Sequence, residues 1–293
     1  MFNAICFGEV LWDVFPANKK IGGAPLNVAL RLQSFGADTG IISRIGNDEN
    51  GNELLSYISE KGVNISCIQI DDNHKTGCVN VTLDKNGVAS YEIEFPVAWD
   101  RIEALENCKN SVKTSDVFIY GSLACREEVT KRALIDLLQY SKYKVFDVNL
   151  RAPFYSINLL LSLMRISDFI KCNDEELIEV CKALNFNSSS IKEQVEFLSK
   201  HTQTNQICVT KGKEGAALLY NGEFYNNSGY SIKVADTVGA GDSFLASLIS
   251  KLLTNTDPDE ALNYACAVGA LVASKVGANP TIENLEIIEL LSS

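Results

Sequence analysis

The stretch Asp236-Thr237-Val238-Gly239-Ala240-Gly241-Asp242-Ser243-Phe244 joins a glycine-rich turn to the start of an amphipathic helix. Apolar residues recur at helical spacing along that helix, at Phe244, Leu245, Leu248 and Leu252. Small side chains let an anion approach the backbone N–H groups, and the free amides and the dipole at a helix N-terminus attract negative charge. The stretch therefore predicts a phosphate-binding loop at the start of a helix.

Asp242 lies inside this predicted anion site, where a carboxylate repels phosphate. Two interpretations are open. An acidic first-turn residue stabilises a helix through the dipole, and Gly-x-Gly before a helix can be a simple tight turn. Alternatively, Asp242 takes a proton from an attacking hydroxyl while the loop amides bind the developing negative charge.

The complete string Asp236–Phe244 resembles the C-terminal motif of the ribokinase-like, or PfkB, family of carbohydrate kinases. Near the N-terminus, Gly8-Glu9-Val10-Leu11-Trp12-Asp13-Val14-Phe15-Pro16 followed by Gly22-Gly23-Ala24-Pro25-Leu26-Asn27 is most similar to the bacterial fructokinase branch. The resemblance extends from Gly8 to Gly277. It implies an α/β fold, a ribokinase-like three-layer sandwich with a mostly parallel central sheet and a small β-sheet lid.

The resemblance also implies roles for individual residues. Asp242 aligns with the catalytic base, and the backbone of Gly239, Ala240 and Gly241 aligns with the anion hole. The residues aligned with Gly23 and Asn27 hold sugar hydroxyls, and Asp147, Asn149 and Arg151 match an Asp-x-Asn-x-Arg motif that lines the sugar and phosphate end of the cleft.

For the nucleotide, the aligned residues are Asn173, Thr210, Gly212, Gly215 and Cys266. The family often has Asn at the position of Cys266, which leaves the choice between ATP and GTP open. Glu176 is implied to organise Mg²⁺ and the phosphates, although an acidic residue there is also ordinary helix capping. Asp236 and Gly277 are implied to contribute to a monovalent-cation loop, which would take K⁺.

The strand patterns give independent support for some of these residues. Ala4–Val10 is typical of a buried strand leading to Asp13, and ligands of open α/β sheets collect at the carboxyl ends of strands. A carboxylate can accept two hydroxyl hydrogen bonds, which suits a sugar diol, although a solvated turn is the alternative. Asp147, Asn149 and Arg151 would project to one side if the strand Val145–Val148 continued through them.

Strands and helices alternate along most of the chain, as expected of a parallel sheet. Between them, strands Cys78–Leu83 and Val88–Phe95 flank the turn residues Asp84-Lys85-Asn86-Gly87 and predict a hairpin. We interpret the hairpin as part of a lid whose closure would exclude water from the phosphoryl donor. The predicted division assigns residues 13–22 and 76–98 to the lid, and 1–12, 23–75 and 99–293 to the α/β domain.

Composition limits the partners. In 293 residues, 26 basic and 37 acidic side chains give a formal net charge of −11, and no Lys or Arg run offers a nucleic-acid surface. The N-terminus has no signal-peptide pattern and no apolar run reaches membrane-spanning length, so we expect a cytoplasmic protein. The nine cysteines are scattered and His74 and His201 lack ligand-like neighbours, which favours reduced core cysteines over zinc.

The sequence therefore predicts a kinase that uses ATP and Mg²⁺ to phosphorylate a monosaccharide, with D-fructose giving fructose 6-phosphate. One alternative is a kinase for another sugar or sugar acid, such as ribose or 2-keto-3-deoxygluconate. A second is a noncatalytic sugar-responsive binding protein on the same fold. We also expect a homodimer through the lid, where apolar residues such as Val79, Val81 and Tyr91 would need cover.

Overall fold

The computed structural model describes residues 2–16, 18–83 and 89–292. The chain divides into two compact units. Unit 1 comprises Met1–Phe118 and Ala124–Lys142, and unit 2 comprises Ile119–Leu123 and Tyr143–Ser293.

Unit 1 alternates between strands and helices after an N-terminal run of strands. Its strands are β1 (Asn3–Phe7), β2 (Leu11–Val14), β3 (Lys19–Gly22), β4 (Asp38–Gly46), β5 (Ile68–Asp71), β6 (Gly77–Leu83) and β7 (Ala89–Ile93). Its helices are α1 (Ala24–Ser34), α2 (Glu49–Glu60), α3 (Glu106–Thr114) and α4 (Glu128–Leu138). Strand β8 (Val117–Gly121) begins in unit 1 and ends in unit 2.

Unit 2 continues the alternation and ends in helices. Its strands are β9 (Lys144–Asp147), β10 (Phe169–Asn173), β11 (Gln206–Thr210), β12 (Ala216–Tyr220) and β13 (Glu223–Asn227). Its helices are α5 (Ile157–Met164), α6 (Asp174–Ala183), α7 (Ile191–Thr202), α8 (Ala240–Leu253), α9 (Pro258–Ala273) and α10 (Asn284–Leu291).

The large sheet contains nine strands among the described residues, in the order β13-β12-β11-β10-β9-β8-β1-β4-β5. Strands β1, β4 and β5 pair in parallel, as do β9, β10 and β11, whereas β12 and β13 are antiparallel additions at one edge. Central strands such as Val117–Gly121 are almost continuously apolar and buried, as expected of a sheet covered on both faces. The predicted mostly parallel α/β fold is confirmed.

A second, four-stranded sheet has the order β3-β2-β6-β7. Strands β6 and β7 confirm the predicted hairpin strands, while the turn Asp84-Lys85-Asn86-Gly87 lies outside the described residues. Val79 and Val81 are 7% and 3% exposed within the single chain, so the expectation that they need cover from a second chain is wrong. Both side chains are buried by the single chain itself.

The expected strand Ala4–Val10 is too long. Strand β1 ends at Phe7 because Gly8 adopts φ 141°, although the Gly8 N–H still donates to the carbonyl of Ile42. Asp13 therefore does not follow the end of β1 but lies within β2 of the small sheet, where it is paired with Lys20 of β3.

Helix boundaries follow their caps. Helix α2 begins at Glu49, because the Asp48 carboxylate accepts from the Gly51 N–H and caps the first turn. In helix α8 the predicted apolar face is confirmed, since Phe244, Leu245, Leu248 and Leu252 are all buried. No helix in the described ranges is both long enough and apolar enough to cross a membrane.

Candidate active site

The predicted phosphate loop lies at the N-terminus of helix α8, with Gly239 as the residue before its first turn. Gly239 has φ 76°, and a Cβ atom there would lie 2.3 Å from the carbonyl oxygen of Ala278. Only glycine fits this left-handed, closely packed position. No side chain of the described residues caps the helix here, although the Ala240 N–H donates to the Thr237 carbonyl at 3.3 Å. The N-terminal turn is therefore a place where backbone amides and the helix dipole attract an anion.

Asp242 is in the first turn of this helix and is half-buried. A buried ammonium, that of Lys171 in strand β10, lies beside the same turn: a Cβ atom on Gly241 would be 3.4 Å from Lys171 Nζ. Lys171 Nζ also lies 3.0 Å from Asp147 Oδ1, at the end of the neighbouring strand β9. Asp147 Oδ2 is buried and has no hydrogen-bond partner in the part of the chain that the structure describes.

Charge coupling ties these groups together. Burial alone would lower the pKa of Lys171, but the carboxylates of Asp147, Glu176 and Asp242 together raise it above its usual value. Burial raises the pKa of Glu176, an effect that the Lys171 ammonium partly offsets and Asp147 reinforces. The site is thus a cluster of three carboxylates around one buried cation.

Lys171 is the functional candidate that sequence reasoning missed. The signal was present, because a lysine inside the otherwise apolar run Phe169-Ile170-Lys171-Cys172 is unusual in a central strand. Asp147 was noticed only as a member of an alternating set, and its role as the partner of Lys171 required the register of β9 and β10.

The expected alternation of Asp147, Asn149 and Arg151 along one strand face is wrong. Strand β9 ends at Asp147, and Asn149 has φ 38°, which is incompatible with a continuing strand. Arg151 is exposed and its guanidinium donates to the carbonyl of Leu150, so the three side chains do not share a strand face.

Glu176 and Asn173 form a capping box at the start of α6. The Asn173 side chain accepts from the Glu176 N–H, and Glu176 Oε2 accepts from the Asn173 N–H, both at 2.8 Å. Glu176 Oε1 accepts from the Leu150 N–H, also at 2.8 Å. The carboxylate therefore ties the loop after β9 to helix α6, so the capping interpretation is confirmed and the proposed role at phosphate is an addition to it.

The predicted nucleotide turn follows strand β11. Gly212 and Gly215 have φ 57° and 81°, and a Cβ atom on Gly215 would lie 2.2 Å from the carbonyl oxygen of Asn227. Thr210 donates its hydroxyl weakly to the carbonyl of Cys172, at 3.5 Å. Cys266, on α9, is buried, and burial raises the pKa of its thiol to about 12, so it remains protonated at neutral pH.

Asp236 and Gly277, the two residues implied in a monovalent-cation loop, are brought together. Asp236 Oδ2 accepts from the Gly277 N–H and Oδ1 from the Val238 N–H, each at 3.1 Å. Their proximity agrees with the expectation, and cation binding there stays a prediction.

The sugar-side candidates Asp13, Gly23 and Asn27 lie in unit 1. Gly23 has φ 108°, and a Cβ atom there would be 2.4 Å from the carbonyl oxygen of Glu9. Asn27 is buried in the first turns of α1. Asp13 is partly exposed and adjoins Gly22 across the β2–β3 pair.

The sequence matches the pfkB family of carbohydrate kinases over residues 3–285. The chain belongs to this family. It is 29% identical to the probable fructokinase-6, chloroplastic, of Arabidopsis thaliana over 97% of this chain and 80% of that protein.

Solved PfkB kinases share the fold. The fructokinase of Vibrio cholerae, in a form with fructose, ADP and calcium bound, superposes with a TM-score of 0.84 at 23% identity over 99% of both chains. The 2-dehydro-3-deoxygluconokinase of Thermotoga maritima reaches a TM-score of 0.85 at 19% identity, over 100% of this chain and 98% of that one. This PfkB protein is therefore an ATP-dependent sugar kinase.

The donor chemistry of this kinase fits Mg²⁺ only in company with a nucleotide. In residues 2–16, 18–83 and 89–292, no group of three or more His, Cys, Asp or Glu side chains could hold a metal ion by itself. Mg²⁺ prefers oxygen ligands and is often held by one or two carboxylates together with substrate phosphates. The partnerless Asp147 Oδ2 and the buried Glu176 carboxylate are the oxygen donors that suit it.

Proposed function

We propose that this kinase transfers the γ-phosphoryl group of ATP to the primary 6-hydroxyl of D-fructose, giving fructose 6-phosphate. The observation that carries the reaction is the position of Asp242, one residue after the glycine loop and in the first turn of α8. The fructokinases among its relatives support the choice of fructose.

In the proposed mechanism, the Asp242 carboxylate accepts the proton of the attacking hydroxyl as the hydroxyl oxygen bonds to the γ-phosphorus. The bond between the γ-phosphorus and the oxygen that joins it to the β-phosphate breaks, and ADP leaves with that oxygen. The backbone amides of Gly239 to Gly241 bind the negative charge that develops on the transferring group. Asp147 and Glu176 would hold Mg²⁺ beside the phosphates, where the ion would supply neutralisation of their negative charge. Positioning and charge neutralisation then supply most of the rate enhancement.

Sugar binding is assigned to Asp13, with Gly23 and Asn27. The Asp13 carboxylate can accept hydrogen bonds from two vicinal hydroxyls, and it is partly exposed in β2, where a ligand can reach it. On the nucleotide side, the turn containing Gly212 and Gly215 and the face of α9 at Cys266 are proposed to receive ATP.

A sugar acid is the second candidate substrate. The exposed guanidinium of Arg151 favours it, because Arg binds carboxylates in a bidentate geometry, and a deoxygluconate kinase shares this fold. The free state of all nine cysteines, eight of them buried, supports a reducing, cytoplasmic location. Potassium at the Asp236 and Gly277 loop is proposed as an activating ion.

A coupled assay with ATP and Mg²⁺ against fructose, ribose, glucose and 2-keto-3-deoxygluconate tests the proposal. We expect the highest kcat/KM with fructose, and a kcat about 10²–10⁴-fold lower in Asp242→Asn prepared in parallel. A higher kcat/KM with the sugar acid, lost on Arg151→Gln, would replace fructose by the second candidate. Repeating the assay with GTP, and with sodium in place of potassium, tests the nucleotide and cation assignments.

A further inference from the structure

Lys171 is a buried cation in the middle of the large sheet. Lys171 is 7% exposed, and its neighbours Ile170 and Cys172 are both buried. Lysine is rarely buried to this extent unless it is paired, because removing an ammonium from water is costly. Asp147 provides such a partner at 3.0 Å.

Pairing with Asp147 does not account for the remaining charges. The carboxylates of Glu176 and Asp242 also interact electrostatically with the same ammonium. Three carboxylates therefore share one ammonium, and Asp147 Oδ2 is buried without a hydrogen-bond partner among the described residues. A buried ion pair retained only for stability has no need of two further carboxylates.

The position of the ammonium gives it a second effect. Lys171 Nζ would lie 3.4 Å from a Cβ atom added to Gly241, so the ammonium is close to the first turn of α8. This turn must accept a polyphosphate next to the Asp242 carboxylate, two negative groups that repel each other. A fixed positive charge beside both reduces that repulsion, and the effect is large because the charge is shielded from water.

We propose that Lys171 is a positioning residue for phosphoryl transfer, whose ammonium, held by Asp147, offsets the charge of Asp242 so that the phosphates of ATP can bind the glycine loop. This role rests on the proposed function, in which Asp242 is the base and must stay near the phosphates. Lys171 itself acts through Asp242 and the loop.

The test is a double-mutant cycle between Lys171→Met and Asp242→Asn, read by calorimetric binding of ATP and ADP in the absence of sugar. In the wild-type background, Lys171→Met should weaken ATP about tenfold or more, the scale expected for charges several ångströms apart near a protein interior. In the Asp242→Asn background the same change should weaken ATP much less. Lys171→Arg, which keeps the charge, should restore most of the affinity.

Lys144→Met is the matched control. Lys144 pairs with Asp168 at 3.6 Å, at the opposite ends of the same two strands, β9 and β10. This variant should bind ATP like wild type. Kinetics should show a split, with kcat and the KM for ATP altered by Lys171→Met and the KM for sugar unchanged.

Equal loss of ATP affinity in both backgrounds would overturn the proposal, because the lysine would then act only through the fold. Unchanged ATP affinity in folded Lys171→Met would also overturn it. If Lys171→Met does not fold, Asp147→Asn/Lys171→Met, which removes the pair together, replaces it in the cycle under the same criterion. Since binding is measured without sugar, absence of sugar turnover in the wild type contradicts the proposed function and leaves this test intact.

Discussion

The Asp13 carboxylate occupies the space that a side chain at Gly22 would fill: a Cβ atom at position 22 would lie 2.4 Å from Asp13 Oδ2. The two residues are on adjacent antiparallel strands, β2 and β3. The absence of a side chain at position 22 therefore allows the Asp13 carboxylate to take the orientation that it has in the structure.

Replacing Asp13 by Ala should impair sugar binding selectively. Two sugar hydroxyls would lose a charged acceptor, at a cost of about 1.5–3 kcal/mol. The KM for sugar should rise accordingly, while ATP affinity measured by calorimetry stays near wild type. Unchanged sugar affinity would return Asp13 to the role of a solvated turn residue.

Gly22→Ala is the companion variant. The added methyl group must displace the Asp13 carboxylate, so sugar KM should rise by less than in Asp13→Ala. In Asp13→Ala/Gly22→Ala the methyl group should have little additional effect on sugar KM, because the atom it displaces is gone. Additive effects of the two changes would show that Gly22 acts independently of Asp13.

Asp242→Asn separates catalysis from helix capping. The amide keeps the size of the side chain but cannot accept the hydroxyl proton, so kcat should fall about 10²–10⁴-fold. ATP affinity should be retained or increase, since repulsion of the phosphates is relieved. Thermal unfolding should change little.

The matched control is Asp259→Asn, which alters an acidic first-turn residue of the next helix, α9. It should leave kcat unchanged and lower stability only slightly. Near-normal turnover by folded Asp242→Asn would contradict the proposed role of the carboxylate as a base.

The glycine loop and the helix after it were predictable from sequence because they depend on local chemistry. Small residues at Gly239 to Gly241 and the helical spacing from Phe244 onward determine the loop and the helix without knowledge of distant contacts. The carbonyl of Ala278, which leaves no room for a side chain at Gly239, lies in the segment after α9. No local sequence pattern reveals this close approach.

Gly239→Ala should disrupt the loop for two reasons. The left-handed conformation costs a non-glycine residue roughly 1–2 kcal/mol, and the new Cβ atom would contact the Ala278 carbonyl oxygen. We expect lower kcat and weaker ATP binding, measured by assay and calorimetry. Gly222→Ala is the control, since Gly222 has φ 93° but no atom within 4 Å of the added carbon. Gly222→Ala should lower the stability of the protein without weakening ATP binding. Equal weakening of ATP binding in the two variants would refute the packing argument.

Stability of unit 1 should depend on the ionisation of Asp48. Burial would raise the pKa of this carboxyl, but hydrogen bonds from the Thr76 hydroxyl and N–H and from the Gly51 N–H lower it below its usual value. A carboxylate with a lowered folded pKa stabilises the fold above the unfolded pKa of about 3.9, and this contribution is lost as the pH falls through the folded pKa.

Asp48→Asn should therefore unfold at a lower urea concentration than wild type at pH 7, with a free energy of unfolding that is smaller by about 1–2 kcal/mol. This difference in free energy between the variant and wild type should shrink towards pH 3. Asp72→Asn, which changes a carboxylate that accepts from the Asn47 side chain at the surface, is the comparison and should have little effect at either pH. A constant difference between Asp48→Asn and wild type at both pH values would refute the linkage.

Dimerisation stays a prediction, and one of the two arguments for it, the exposure of apolar lid residues, no longer supports it. Since Val79 and Val81 are buried in their own chain, the remaining argument is that β3 and β7 are the edge strands of the small sheet. We expect light scattering at micromolar concentration to give twice the chain mass. A monomer under these conditions would contradict the dimer, and with it the lid as the interface.

The charge cluster shows where sequence reasoning ends. Asp242 could be selected because its neighbours in the chain define a phosphate loop, whereas the pairing of Lys171 with Asp147 is visible only in the parallel register of β9 and β10. The predicted end of the first strand was wrong for a related reason. Gly8 turns the chain at a positive φ within an apolar run whose pattern is typical of a continuous strand.

Glu176 has a consequence for how such an enzyme can diversify. Its two oxygens hold the backbone of Leu150, after β9, and of Asn173, before α6. Any substitution at position 176 therefore disturbs both segments together. A substitution that reshapes the loop after β9, and with it the preference for a sugar acceptor, would also affect the start of α6 through Glu176. Substitutions that accumulate in one of these segments must therefore remain compatible with the other.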